Sequence, residues 1–140
     1  MPPHTPRLLG YLGLIPFIAL AGISAFGPAG WHSQALTALV AYGALILSFL
    51  GGITWGIAVR ENHSDQRLYL ISMVPFFMAW AALLLPGWAG IWLLVLAFIV
   101  ALVNDYTVSR MSMTPAWFRT MRTILTVVVV VCLVVAAITL

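Results

Sequence analysis

Five stretches of the chain, Leu8 to Phe26, Ala35 to Val59, Leu68 to Leu85, Trp88 to Val103 and Thr123 to Leu140, carry no charged residue; the six arginines and three acidic residues all fall outside them. Each stretch is roughly long enough to cross a hydrocarbon core about 30 Å thick at about 1.5 Å per residue, the fourth once it continues through Asn104, Asp105 and Tyr106. No water is available there to satisfy a free backbone N–H or C=O, so each must be a helix. The expected fold is all-α: a polytopic membrane bundle of five transmembrane helices in a single domain, residues 1–140, with spans near 8–26, 35–59, 68–85, 88–106 and 123–140. A composition that is 64% hydrophobic and 6% charged leaves no room for a soluble domain.

The arginines fix the expected orientation. Arg7 precedes the first span, Arg60 and Arg67 lie between the second and third, and Arg110, Arg119 and Arg122 lie between the fourth and fifth, so five crossings put all six on one side. The positive-inside rule then predicts an inside N-terminus and an outside C-terminus. Arg7, the apolar run after it and Ala19-Leu20-Ala21 also fit a cleavable signal peptide, but Pro16 and the continuation to Phe26 favour an uncleaved anchor. No Arg- and Ser-rich presequence precedes it, so mitochondrial import by that route is unsupported.

Several function classes are disfavoured. Six scattered arginines and no lysine make no nucleic-acid surface. The single cysteine, Cys132, reads as a small packing residue, and His4, His32 and His63 show no ligand spacing, so neither metal nor cofactor is expected. No charge lies mid-span, which counts against an ion relay or proton-coupled pump. The polar run from Arg60 to Arg67 reads as a solvated turn, with Ser64 or Asp65 as helix caps.

In the second span Ala44, Ser48, Gly52 and Gly56 recur every fourth residue, which aligns them in one row that ends in a GxxxG step. Small side chains let a second backbone approach closely, so this row is the expected helix-packing face, toward a membrane-protein partner or a second copy of the chain. Gly51 lies off the row, as a second neighbour or a local kink. Pro16 and Pro75 each free a backbone carbonyl, which a neighbouring helix or Ser72 can satisfy. Pro86-Gly87 leaves so little chain that the third and fourth helices should form a tight hairpin. Trp31 and Trp88 mark the outer aromatic belt; Tyr11, Trp55, Tyr69, Tyr106 and Trp117 mark the inner one.

The candidate functional residues gather at the inner end. Asp105 closes the fourth span and reads first as one half of a structural salt bridge or loop anchor. From Thr114 the sequence reads as a helix start at the membrane surface: Thr114 caps, Pro115 takes the first helical position, Trp117 and Phe118 anchor, and Arg119 and Arg122 face lipid headgroups. Thr54 and Trp55 complete the set.

Gly13-Leu14-Ile15-Pro16-Phe17, Tyr42-Gly43-Ala44, Leu47-Ser48-Phe49-Leu50-Gly51-Gly52-Ile53-Thr54-Trp55-Gly56, Asn104-Asp105 and Pro115-Ala116-Trp117-Phe118 with Arg122 and Leu125-Thr126 together resemble the transmembrane protein 69 family. The likeness covers nearly the whole chain. It implies a bacterial cytoplasmic or mitochondrial inner-membrane setting and brings no established activity; a multi-pass protein of a bacterial cytoplasmic (inner) membrane is the expectation. Small loops and the missing charge pathway favour a non-enzymatic accessory or assembly subunit packed against a larger membrane complex. The alternative is a transporter or binder of a small neutral or lipidic molecule, with Ser48, Thr54, Trp55 and Asp105 along its route. A second alternative, a lipid- or quinone-modifying enzyme, needs Asp105, His63 and the inner arginines to converge.

Overall fold

The computed structural model describes residues 4–61, 66–111 and 113–139. His63, Ser64 and Asp65 lie outside the described residues. The helices are α1 (His4–Leu12), α2 (Leu14–Phe26), α3 (His32–Arg60), α4 (Gln66–Leu84), α5 (Gly87–Arg110) and α6 (Ala116–Ile138), with a short 3-10 turn at Ala29–Trp31 before α3. α1 and α2 are two pieces of one crossing, so five helices are long and apolar enough to span a bilayer. No strand occurs among the described residues.

Helices adjacent in sequence are adjacent in space, and α6 also packs on α2, which closes a ring. α3 reaches across that ring to α5, and α1 leans on α2 and α6. The core therefore centres on Leu39, Leu47 and Leu50 of α3 against Ile91, Leu94 and Phe98 of α5, with Phe17 from α2 and Leu133 from α6. The Phe17 ring meets Tyr42 and Phe98 edge-on, centroids 4.9 and 5.8 Å away. Outside, Leu45, Leu70, Trp80, Leu84 and Val127 are exposed, so the outer surface is as apolar as the inner. In water such a surface would drive aggregation; in a bilayer it is the solvent-facing side.

At Pro75 a side chain from the next helix answers the freed backbone. Pro75 has no N–H to donate to the Ile71 carbonyl one turn earlier, and Asn104 Nδ2 of α5 donates to that carbonyl at 2.8 Å. Of the two sources the sequence allows, it is the neighbouring helix, since the Ser72 hydroxyl donates to Tyr69 O instead. The first crossing is interrupted at Gly13, just ahead of Pro16, and Tyr42 Oη of α3 donates to Gly13 O at 2.8 Å. At the opposite end His32 Nδ1 donates to Ser24 O at 2.6 Å, tying the start of α3 to the end of α2.

Close approach of backbones occurs at glycines, though within the chain not along the expected row. Ala44 is buried and Ser48 half-buried, its hydroxyl donating to Ala44 O, but Gly52 and Gly56 are exposed and nothing lies within 4 Å of where a Cβ would stand. The packing glycine is Gly51, where a Cβ would come within 2.5 Å of Ser72 O on α4. Gly90 plays the same part in the α4–α5 hairpin, with Ala82 O at 2.6 Å. Neighbouring positions on a helix point about 100° apart, so Gly51 faces α4 while Gly52 faces outward.

The adjacent glycines should therefore respond oppositely. Gly51→Ala forces the α3 and α4 backbones apart and is expected to cost about 1–3 kcal/mol. Gly52→Ala meets open space and should be neutral or slightly stabilising through helix propensity. Thermal unfolding of the two variants in one mild detergent checks the contrast; equal melting would refute it.

Candidate functional site

Asp105 and Arg122 both turn into the bundle. On α5 the inward residues include Leu94, Ala97, Phe98, Ala101, Asn104, Asp105 and Val108; on α6 they are Met121, Arg122, Thr126, Val129, Leu133 and Ala136. Both sets follow the alternating three- and four-residue step of a packing seam, so each charged residue occupies a position where its helix otherwise places a core side chain. Arg122 Nε donates to Asp105 Oδ2 at 2.7 Å, and the two side chains are only 5% and 7% exposed. The pairing read for Asp105 is thus formed. Arg122 does not face headgroups: it is 4% exposed on this seam, and among the described residues its ion-pair partner is Asp105.

Arg119, one turn earlier, remains exposed and stands over the Tyr106 ring, its Cζ 5.9 Å from the centroid. Tyr106 Oη and Thr123 Oγ1 share a 2.6 Å hydrogen bond between α5 and α6. α6 starts at Ala116, with Pro115 at the cap position and no side-chain cap. Thr114 therefore does not cap as expected; its hydroxyl is buried without a partner.

Beside the ion pair lies a cavity of about 370 Å³, at the low end of the roughly 300–1,000 Å³ typical of small-molecule sites. Its walls come from α1 (Leu9, Gly10), α2 (Leu14, Phe17), α3 (Ile46, Phe49, Leu50, Ile53), Phe98 of α5 and the first half of α6 (Trp117, Phe118, Met121, Arg122, Leu125, Thr126, Val129). Leu9 and Phe49, on α1 and α3, are 63% and 67% exposed, so the mouth opens sideways between these helices toward lipid. Trp117 and Phe118, read as surface anchors, are half-buried and form part of the wall.

Two residues of this lining each carry a polar atom that is sealed from solvent and has no hydrogen-bond partner, Arg122 Nη2 and Thr126 Oγ1. Because Arg122 engages Asp105 through Nε, its second amino group remains unused. A buried donor left unmade costs about 1–3 kcal/mol.

The other candidates do not join it. Trp55 is exposed and stacks edge-on against Tyr69 at 5.1 Å, and Thr54 is buried on the opposite seam, near Pro75, Asn104 and Asp105. Of the residues expected along a route, Ser48, Thr54, Trp55 and Asp105, none lines this cavity, while Thr54 and Asp105 share a smaller crevice. Thr126 was not singled out; its spacing of four from Arg122 and three from Val129 is the signal that would have found it.

The ion pair makes a direct prediction. Asp105→Leu alone strands a buried guanidinium and should cost about 3–5 kcal/mol, whereas Asp105→Leu combined with Arg122→Met should recover most of that loss. Melting temperatures of the two single variants and the double variant in detergent measure the coupling; additive losses would show that the pair contributes nothing as a pair.

Residues 2–138 match a family described as a protein of unknown function, DUF3429. Transmembrane protein 69 of Xenopus tropicalis is 38% identical over 135 residues, which cover 94% of this chain and 53% of that protein. Transmembrane protein 69 of Mus musculus is 33% identical over 141 residues, 97% of this chain and 56% of its own length. The chain thus spans about half the length of these relatives. No solved structure matches it. With the match running from end to end of its five crossings, this multi-pass membrane protein belongs to the DUF3429 family and is similar to the vertebrate transmembrane proteins 69.

Proposed function

We propose that the protein holds a small lipidic molecule within the membrane, in the cavity bounded by α1, α2, α3 and α6. The observation that carries this reading is an apolar cavity of about 370 Å³ whose lining includes the exposed side chains Leu9 of α1 and Phe49 of α3. A molecule already dissolved in lipid enters such a mouth without crossing water. The arginines support an orientation in which the cavity lies toward the inside of the membrane, because α1 and the start of α6 line it and carry Arg7, Arg119 and Arg122. A bacterial cytoplasmic or mitochondrial inner membrane fits that orientation.

A second reading, an accessory subunit seated on a larger membrane complex, rests on a different observation. Gly52 and Gly56 present a bare, exposed strip of α3 with nothing within 4 Å of either Cβ position. A partner helix could approach there as closely as α4 does at Gly51.

The two readings separate on purified protein. Extraction and mass spectrometry of the chain isolated in mild detergent should find a lipidic molecule near one per chain, lost from Ile46→Trp and Leu125→Trp, which fill the cavity from two helices. Retention in both filled variants, with normal melting, rejects the cavity as its site. A stoichiometric protein partner that is lost in Gly52→Leu is the expected result for the subunit reading; a solitary wild-type chain rejects it.

A further inference from the structure

The break at Gly13 divides the first crossing into two unlike pieces. α2 enters the core with Phe17 and Ala21, whereas no residue of α1 is buried and His4 to Leu9 are exposed throughout. α1 nevertheless forms a wall of the cavity, through Pro6, Leu9 and Gly10. Its hold on α6 is light: at Gly10 a Cβ would stand 3.0 Å from Met121 Sδ and 3.7 Å from Leu125 Cδ1, the ends of two flexible side chains. At Gly51 and Gly90 the opposing atom is a backbone carbonyl oxygen. Segments with few buried apolar contacts are the ones that open at the smallest free energies.

A pivot is built into the joint. Pro16 has no N–H for the Leu12 carbonyl, so the helical ladder lacks a rung where α1 meets α2. Gly13 has no side chain to resist a change of backbone angle. Tyr42 Oη donates to Gly13 O at 2.8 Å, and the Tyr42 ring is set edge-on against Phe17, so the joint itself is anchored to α3. A bend there moves α1 and leaves α2 in place. α1 also has a second place to rest. His4, Arg7 and Tyr11 follow steps of three and four and share one face, while Leu8 and Leu12 share another. Laid on the membrane surface, such a helix turns its cation and phenol toward headgroups and its leucines toward acyl chains. Leu8, Leu9 and Leu12 are already exposed, and the lipid that would replace Met121 and Leu125 against α1 is equally apolar, so the swing forfeits little.

We propose that α1 is the gate of the cavity: it pivots at Gly13 between a closed position against Met121 and Leu125 and an open position along the membrane surface, and the lipidic molecule enters while it is open. This rests on the cavity being a binding site, as proposed above, and adds how the site is reached.

The test uses full-length protein in nanodiscs, with Cys132→Ser removing the chain's one cysteine. Gly10→Cys and Met121→Cys are joined by a short thiol-reactive cross-linker that reductant cleaves. The probe is a dibrominated long-chain alkane. Its arrival is followed as tryptophan quenching, taken as the difference from a Trp117→Phe variant, because Trp117 lines the cavity. The unlinked protein should quench, the linked protein should lose that quenching, and reductant should restore it. A one-ended reagent of the same size, which fills space without joining the helices, should leave quenching intact. Pro16→Ala returns the missing N–H and stiffens the joint; it should slow quenching with no cross-link present. In that variant Met121→Cys, buried where α1 meets α6, should also react more slowly with a lipid-soluble maleimide. Equal quenching of linked and unlinked protein overturns the gate while the cavity remains a site. Loss of quenching with the one-ended reagent assigns the block to bulk and likewise overturns the gate. Unchanged quenching and labelling in Pro16→Ala overturn the pivot. Quenching absent from linked and unlinked protein alike overturns the cavity reading and the gate together.

Discussion

A guanidinium in an apolar bundle has to find its carboxylate, and that requirement sets how α6 is turned. The bond from Arg122 Nε to Asp105 Oδ2 fixes the rotation of the last helix against α5. A helix rotates as a unit, so the same turn carries Met121, Thr126 and Val129 inward and leaves Arg119 and Val127 outside. Rotated by half a turn, α6 would place Arg122 among headgroups and withdraw Thr126 from the cavity. The wall of the cavity and the ion pair are thus two results of one orientation.

The number of crossings was legible because it follows from backbone chemistry: uncharged runs of sufficient length in lipid have one solution. Which face of each helix points inward was far harder to read, because contrast between polar and apolar sides is what reveals a face in soluble proteins, and here both sides are apolar. The valine run of α6 makes the difficulty concrete: Val127 and Val131 are exposed and Val129 is buried, with nothing in their chemistry to tell them apart. The same ambiguity attends Gly51 and Gly52. Regular spacing singles out Gly52, but the backbone of α4 happens to lie against Gly51. Asp105 was readable as one member of a pair; its partner was hidden because Arg122 and Arg119 look alike in a basic segment at a helix start.

Several polar side chains inside the bundle reach a backbone carbonyl of a neighbouring helix. Asn104 reaches the carbonyl left by Pro75, Tyr42 the break at Gly13, His32 the end of α2 and Tyr69 the Ala58 carbonyl near the end of α3. Lipid gives helices little hydrophobic reason to associate, so bonds of this kind, together with glycine contacts, determine which helices adjoin.

The ring of helices has a consequence for biogenesis. Four of its five contacts join helices that follow one another in the chain and can form as each hairpin enters the bilayer; the fifth, α2 with α6, joins segments separated by nearly the whole sequence. During synthesis α1 to α5 reach the membrane with Asp105 uncompensated and the flank of α2 bare. The arrival of α6 supplies the missing cation, covers α2 and completes the last wall in a single event. The cavity therefore belongs to no helix or hairpin: it comes into being only when the ring closes, and a chain halted one crossing early would have none.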